Sequence, residues 1–195
     1  MKIIGLTGGM GMGKSTIAKA FRRAHIPVFD ADATVHALQA RGGRAVPAIG
    51  HAFPGTIRDG AVDRAALRAV AVPDPAAMQT LERILHPMVR AAEQAFLARA
   101  RRAGRPLVVL DIPLLLETGG ERRVDMVLVV SAPRSVQRAR VRKRRRMTNA
   151  EIDTIIARQM PDAEKRRRAD AIISTGLSRH HALRRLRRLI QGMQP

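Results

Sequence analysis

At 195 residues the chain suits one domain with an aliphatic core, since 46% of it is hydrophobic and four Phe, with no Tyr or Trp, are its only aromatics. The absence of cysteine excludes disulfides, thiol catalysis and Cys-ligated zinc, and no stretch approaches the roughly 20 apolar residues of a membrane helix. A net charge of +20 attracts polyanions, whether nucleic acid, an anionic surface or a phosphorylated metabolite, although Arg spread over solvated helix faces accounts for it equally well.

The chain opens on Lys2–Leu6, an apolar run that ends at glycines rather than at a signal-peptide cleavage site, so a cytoplasmic protein is expected. Gly8-Gly9-Met10-Gly11-Met12-Gly13-Lys14-Ser15 follows and matches the phosphate-loop pattern G-x-x-x-x-G-K-[ST] in full, between this strand and a helix running from Ser15 to about Arg22. Glycines let backbone N–H groups turn inward around phosphate oxygens, and the helix N-terminus adds partial positive charge. Lys14 reaches the β- and γ-phosphates in such loops, and the Ser15 hydroxyl ligates Mg²⁺. A nucleotide phosphate site is the reading.

A second strand over Ile26–Phe29 leads into Asp30-Ala31-Asp32. Ligands of open α/β sheets bind beyond the carboxyl ends of strands, where a carboxylate can orient an acceptor hydroxyl and take its proton. Asp32 is the candidate base, with N-capping of the next helix as its alternative role. The connection that follows is far longer than one crossover helix needs. Within it Asp63 caps a helix from near Arg64, Pro73 and Pro75 precede another from near Ala76, and Pro87 bends or restarts that helix before Gly104.

A third strand, Leu107–Ile112, ends at Asp111, which resembles the acid that holds Mg²⁺ in phosphate-loop proteins. No second acid follows it to activate water, which favours transfer over hydrolysis. After a fourth strand, Met126–Val130, eight of the thirteen residues from Arg134 to Arg146 are basic. This segment is polar almost all round as a helix, so it is expected to be exposed and to serve as a lid, with Arg140 and Arg144 one turn apart to neutralise transferring charge. Thr148 and Glu151 then stand in capping-box spacing before a packed helix, and Ala171–Ser174 is the fifth strand. Continuous apolar runs alternating with helical patterns give the fold class: α/β, a doubly wound, mainly parallel five-stranded sheet of the phosphate-loop type, with an inserted helical acceptor-binding layer and an Arg-rich lid. Residues 1–30, 105–133 and 161–195 form the core of this single kinase domain, residues 31–104 the substrate-binding insert, and residues 134–160 the lid region.

Several segments in this order resemble the dephospho-coenzyme A kinase family, nearly end to end. They are Ile4-Gly5-Leu6-Thr7-Gly8-Gly9, Phe29-Asp30-Ala31-Asp32, Asp63-Arg64-x-x-Leu67-Arg68, Leu85-His86-Pro87-Met88-Val89-Arg90 and Leu110-Asp111-Ile112-Pro113-Leu114-Leu115-Leu116-Glu117. Gln137-x-x-Arg140, Arg158-Gln159-Met160 and Ala169-Asp170 follow later. The resemblance implies ATP-dependent phosphorylation of the ribose 3′-hydroxyl of dephospho-coenzyme A, giving coenzyme A and ADP in the last step of coenzyme A synthesis, with ATP as co-substrate and Mg²⁺ held by Ser15 and Asp111. It implies an ATP site of Gly8, Gly9, Gly11, Met12, Gly13, Lys14, Ser15 and Thr16. Catalysis falls to Asp32, Lys14, Arg140 and Arg144, and substrate binding to Asp30, Asp32, Arg64, His86, Arg90, Asp111, Pro113, Leu114, Leu115 and Glu117. Met12 stands where Ser or Ala is common in the family, and only its backbone N–H is expected to matter. The partner implied is the small-molecule substrate, with no specific nucleic acid, no membrane, and a monomer or weak homo-oligomer. The alternatives are another small-molecule or nucleotide kinase and, from a different class, a nucleic-acid-binding ATPase; the scarcity of aromatics for base stacking counts against the latter.

Overall fold

The computed structural model describes residues 1–145, 153, 156 and 159–193, with side chains at 144 and 145 outside the description. In chain order the elements are β1 (Lys2–Thr7), α1 (Lys14–Arg23), β2 (Val28–Asp30), α2 (Ala31–Gln39), α3 (Val46–Ala52), β3 (Ile57–Arg58), β4 (Ala61–Val62), α4 (Arg64–Ala71) and α5 (Pro75–Arg102). They continue with β5 (Leu107–Asp111), a 3-10 turn at Gly120–Arg123, β6 (Met126–Ser131), α6 (Arg134–Arg145), α7 (Asp162–Arg167), β7 (Ala171–Ser174) and α8 (Arg179–Gln191). Five strands form one sheet in the order β2-β5-β1-β6-β7, with β1 parallel to both β5 and β6, and β6 parallel to β7. The strands read as unbroken apolar runs because both faces of the sheet are covered. One face holds Ile4, Leu6, Val130 and Ile173 against Ile17 and Phe21 of α1 and Leu186 and Ile190 of α8; the other holds Val127 and Val129 against Leu115 and Leu116.

The chain divides into two compact units, Met1–Phe29 with Ala100–Pro195, and Asp30–Arg99. The second has its own apolar centre, in which Ala45, Ile49, Phe53, Val62, Leu67 and Leu85 are buried. Two of its features are absent from the sequence reading. One is α3, and the other is the β3–β4 hairpin, whose turn residues Asp59 (φ 50°) and Gly60 (φ 74°) both take the left-handed conformation that such two-residue turns require. Pro87 does not restart a helix: α5 runs unbroken through it. A proline removes one helical hydrogen bond, and Leu81, Ile84, Leu85 and Met88 on both sides of it pack into the same core, which holds the helix together.

Asp63 caps α4, its carboxylate accepting from Ala65 N (3.0 Å) and Ala66 N (3.1 Å). The Ala66 N–H, then that of Ala65, hold the Asp63 carboxyl below its ordinary range. A depressed carboxylate pKa stabilises the fold above the unfolded-state value, so the cap contributes fully near neutrality and its contribution is lost as acid drives pH below that range. Thermal unfolding of Asp63→Asn against the parent at neutral and acid pH should show a gap that closes on acidification.

The Arg-rich segment also departs from expectation. It is packed at two positions, with Gln137 and Val141 buried. The surface they meet is the glycine loop rather than the apolar core, since a Cβ on Gly11 would lie 2.7 Å from Val141 Cγ2. Thr148, Glu151 and most of the helix assigned to follow them lie outside the described residues.

Candidate active site

The sheet register assembles the phosphate loop. Leu6, near the end of the central strand, pairs with Asp111 at the end of β5, so that acid emerges beside the loop. Gly8 approaches β6 so closely that a Cβ there would stand 2.5 Å from the Val130 carbonyl oxygen, and Gly11 (φ 80°) and Gly13 (φ 93°) hold left-handed turns. α1 begins at Lys14 with Gly13 as its cap residue and no side chain capping it, which directs its first N–H groups and its positive end at the loop. Lys14 Nζ lies 2.5 Å from Asp111 Oδ1, with the carboxylate side chain only 4% exposed. This ion pair places a cation and an acid, both predicted from sequence, at the mouth of the loop.

Met12 does more than its backbone N–H was expected to do. That N–H is bonded to the Gly9 carbonyl (3.1 Å), the side chain is buried, and its sulfur accepts from the Ala132 N–H (3.1 Å) at the end of β6. Thr175, after β7, donates its hydroxyl to the Met12 carbonyl (2.6 Å) and accepts from Arg140 Nη1 (2.9 Å). Arg140 also donates to the Thr175 carbonyl (2.7 Å). Arg140 therefore braces the loop through Thr175, where the sequence reading placed it with Arg144 in an exposed lid. The side chain of Arg144 lies outside the described residues. Thr175→Val removes a buried hydroxyl that serves two partners and should lower unfolding free energy by about 1–3 kcal/mol. Thr175→Ser keeps the hydroxyl and should lie much closer to the parent in urea denaturation.

The segment after β5 is tied into the core. The Pro113 carbonyl accepts from the Thr7 hydroxyl (2.8 Å), Leu115 is wholly buried, and Glu117 pairs with the buried Lys165 of α7 (2.7 Å). Leu115 can support an acceptor site only by packing, whereas Leu114 is 45% exposed. Sequence reasoning assigned no role to Lys165, Thr175, Gln137 or Gln159; the latter two reach the Met10 backbone. Lys165 gave no signal within its charged helix, and Thr175 had only its place just past a strand end.

In the second unit, Asp30 and Asp32 separate in role. Asp30 is the cap of α2, accepting from Ala33 N (3.0 Å), so capping does not fall to Asp32. Asp32 sits exposed in the first turn of α2. One turn further on, His36 Nδ1 lies 3.5 Å from Arg64 Nη1. His86 and Arg90 are exposed one turn apart on α5, and Arg90 lies 3.7 Å from the buried Glu93. Ser15 is exposed at the start of α1.

Comparison with known proteins adds to this geometry. Residues 2–179 match the family model described as dephospho-CoA kinase. A dephospho-CoA kinase of Paramagnetospirillum magneticum is 63% identical over 85% of this chain and 78% of its own. One of Gluconobacter oxydans is 52% identical over 100% of this chain and 98% of its own. Among solved structures, TT1252 from Thermus thermophilus superposes with a TM-score of 0.87 at 34% identity, covering 100% of this chain and 98% of that one. The loop, the Lys14–Asp111 pair and the sheet order thus occur in a sequence with close relatives along nearly its whole length, and the chain belongs to the dephospho-CoA kinase family.

Proposed function

We propose that this protein transfers the γ-phosphoryl group of ATP to the ribose 3′-hydroxyl of dephospho-coenzyme A, yielding coenzyme A and ADP. The observation that carries the reading is the complete glycine loop with Lys14 seated on Asp111, in a chain of this family. The N–H groups around Gly11–Thr16 and the start of α1 bind the phosphates. Lys14 leaves Asp111 for the phosphate oxygens and balances the charge that gathers on the transferring group. Asp32 orients the acceptor hydroxyl and takes its proton as the new P–O bond forms and the bond to ADP breaks. Arg140 and Arg144 add positive charge, and Asp30, Arg64, His86, Arg90 and the 111–117 segment bind or support the acceptor.

The Ser15 hydroxyl and the Asp111 carboxylate are hard oxygen donors at the loop mouth and suit Mg²⁺, which supplies charge neutralisation on the phosphates when bound. The protein works in the cytoplasm as a monomer or weak homo-oligomer, with neither a specific nucleic-acid partner nor a membrane. No helix among the described residues is long and apolar enough to cross a bilayer. ADP release from ATP and Mg²⁺ tests the reading, with dephospho-coenzyme A, adenosine, AMP and shikimate as parallel acceptors. Turnover confined to dephospho-coenzyme A supports it; preference for another acceptor, or hydrolysis stimulated by nucleic acid, refutes it.

A further inference from the structure

Met10, at the outer bend of the glycine loop, is gripped on both its backbone polar atoms by side-chain amides. Gln159 Oε1 accepts from the Met10 N–H at 3.0 Å, and Gln137 Nε2 donates to the Met10 carbonyl at 2.8 Å. The partners fix which end of each amide is which, because an N–H needs an acceptor and a carbonyl needs a donor. Gly9 lets the two amides come this close: a Cβ on it would stand 3.3 Å from both Gln137 Nε2 and Gln159 Oε1. The two glutamines flank the Arg-rich stretch, Gln137 near its start in α6 and Gln159 beyond its end. Gln137 is itself 4% exposed, so its amide is a buried group committed to this contact.

A loop with glycines at 8, 9, 11 and 13 has many conformations to lose when it closes around phosphates. Bonds that already hold its outer bend reduce that loss at the moment of binding. We propose that Gln137 and Gln159 are paired positioning residues: together they fix the Met10 backbone, and through it the phosphate-binding shape of the loop, without touching the nucleotide. The shape of the donor site then depends on how Gln137 and Gln159 are seated. This rests on the reading of residues 8–16 as the phosphate site.

The test is steady-state kinetics of the full chain carrying Gln137→Met, Gln159→Met, both together, or Gly9→Ala. Methionine keeps the length of the side chain and removes its hydrogen bonding. Each single Gln variant should raise KM for ATP about fivefold, as expected for one lost hydrogen bond, while KM for dephospho-coenzyme A stays within about twofold. Because both bonds restrain one residue, whose N–H and C=O flank a single Cα, cutting the second after the first should add little, leaving the double variant within about twofold of the worse single, whereas independent contributions would multiply to about 25-fold. Gly9→Ala should move KM for ATP in the same direction by pushing the amides apart. Gln159 is only half-buried, so its variant carries the test alone if Gln137→Met folds poorly. Equal effects on both KM values, multiplicative effects, or an unchanged KM for ATP would overturn the clamp. Lys14→Ala separates the two levels of the account: if it loses activity while the glutamine variants behave as the parent, the phosphate site stands and only the clamp is lost. If Lys14→Ala binds and turns over ATP normally, the phosphate-site reading goes, and the clamp goes with it.

Discussion

Lys14→Ala is expected to lower kcat/KM by about a thousandfold or more, because in the proposed mechanism it removes the one loop side chain whose charge meets the transferring phosphoryl oxygens. The same ammonium sits 2.5 Å from Asp111 Oδ1, which fixes its place at the mouth of the loop. Lys14→Arg should restore little. A planar guanidinium is bulkier than the compact ammonium for which a tight turn of glycines leaves room, and it spreads its charge over a fork rather than a point. Single-turnover transfer measured with saturating ATP separates the rate from the binding loss. A Lys14→Ala protein that retains more than about a tenth of the parent rate would be incompatible with this electrostatic role.

Asp32→Asn should reduce kcat by about 10²–10⁴, the range for losing a positioned general base, while leaving the dissociation constant for ATP nearly unchanged. The prediction separates two neighbouring acids by their local structure. Asp30 is engaged in capping α2 through the Ala33 N–H, and its loss should act on helix stability. Asp32, one residue inside the helix and exposed, has no such task in the first turn. Asparagine preserves its shape but neither accepts the hydroxyl proton nor carries the charge that orients it. Calorimetric titration with ATP beside rate measurements on the variant gives both numbers. Near-normal turnover in Asp32→Asn would show that the base lies elsewhere.

These expectations depend on how much of the molecule its sequence discloses. The sheet was legible because strands buried on both faces must be apolar at every position, as Leu107–Asp111 and Met126–Ser131 are up to their polar ends. The Asp63 cap was legible too, because capping depends on residues only two and three positions away. The β3–β4 hairpin was missed although Asp59-Gly60 is a strong turn signal, since two-residue strands carry no alternation to flag them. Of the two outcomes allowed at Pro87, a restart does not occur, because tertiary burial on both sides outweighs the local propensity against a helix there.

The same division runs through the site. Lys14 and Asp111 were identifiable because each has a fixed relation to a strand end. The partners of Arg140 were not: it lies on Thr175, a contact set by the crossing of α6 with the loop after β7. The Met10 grip by Gln137 and Gln159 likewise joins positions more than a hundred residues apart in sequence. Met12 shows the limit of reasoning from a motif alone, since the pattern asks only for its backbone while the fold uses its sulfur.

The account's central claim concerns the acceptor, and product analysis tests it most directly. The parent protein would be given ATP labelled in the γ-phosphoryl group, Mg²⁺ and dephospho-coenzyme A, and the product examined by mass and by phosphorus NMR. The account predicts one labelled phosphoryl group on the ribose 3′-oxygen and an equal amount of ADP. Label released to water, or carried on any other oxygen of the acceptor, would contradict it.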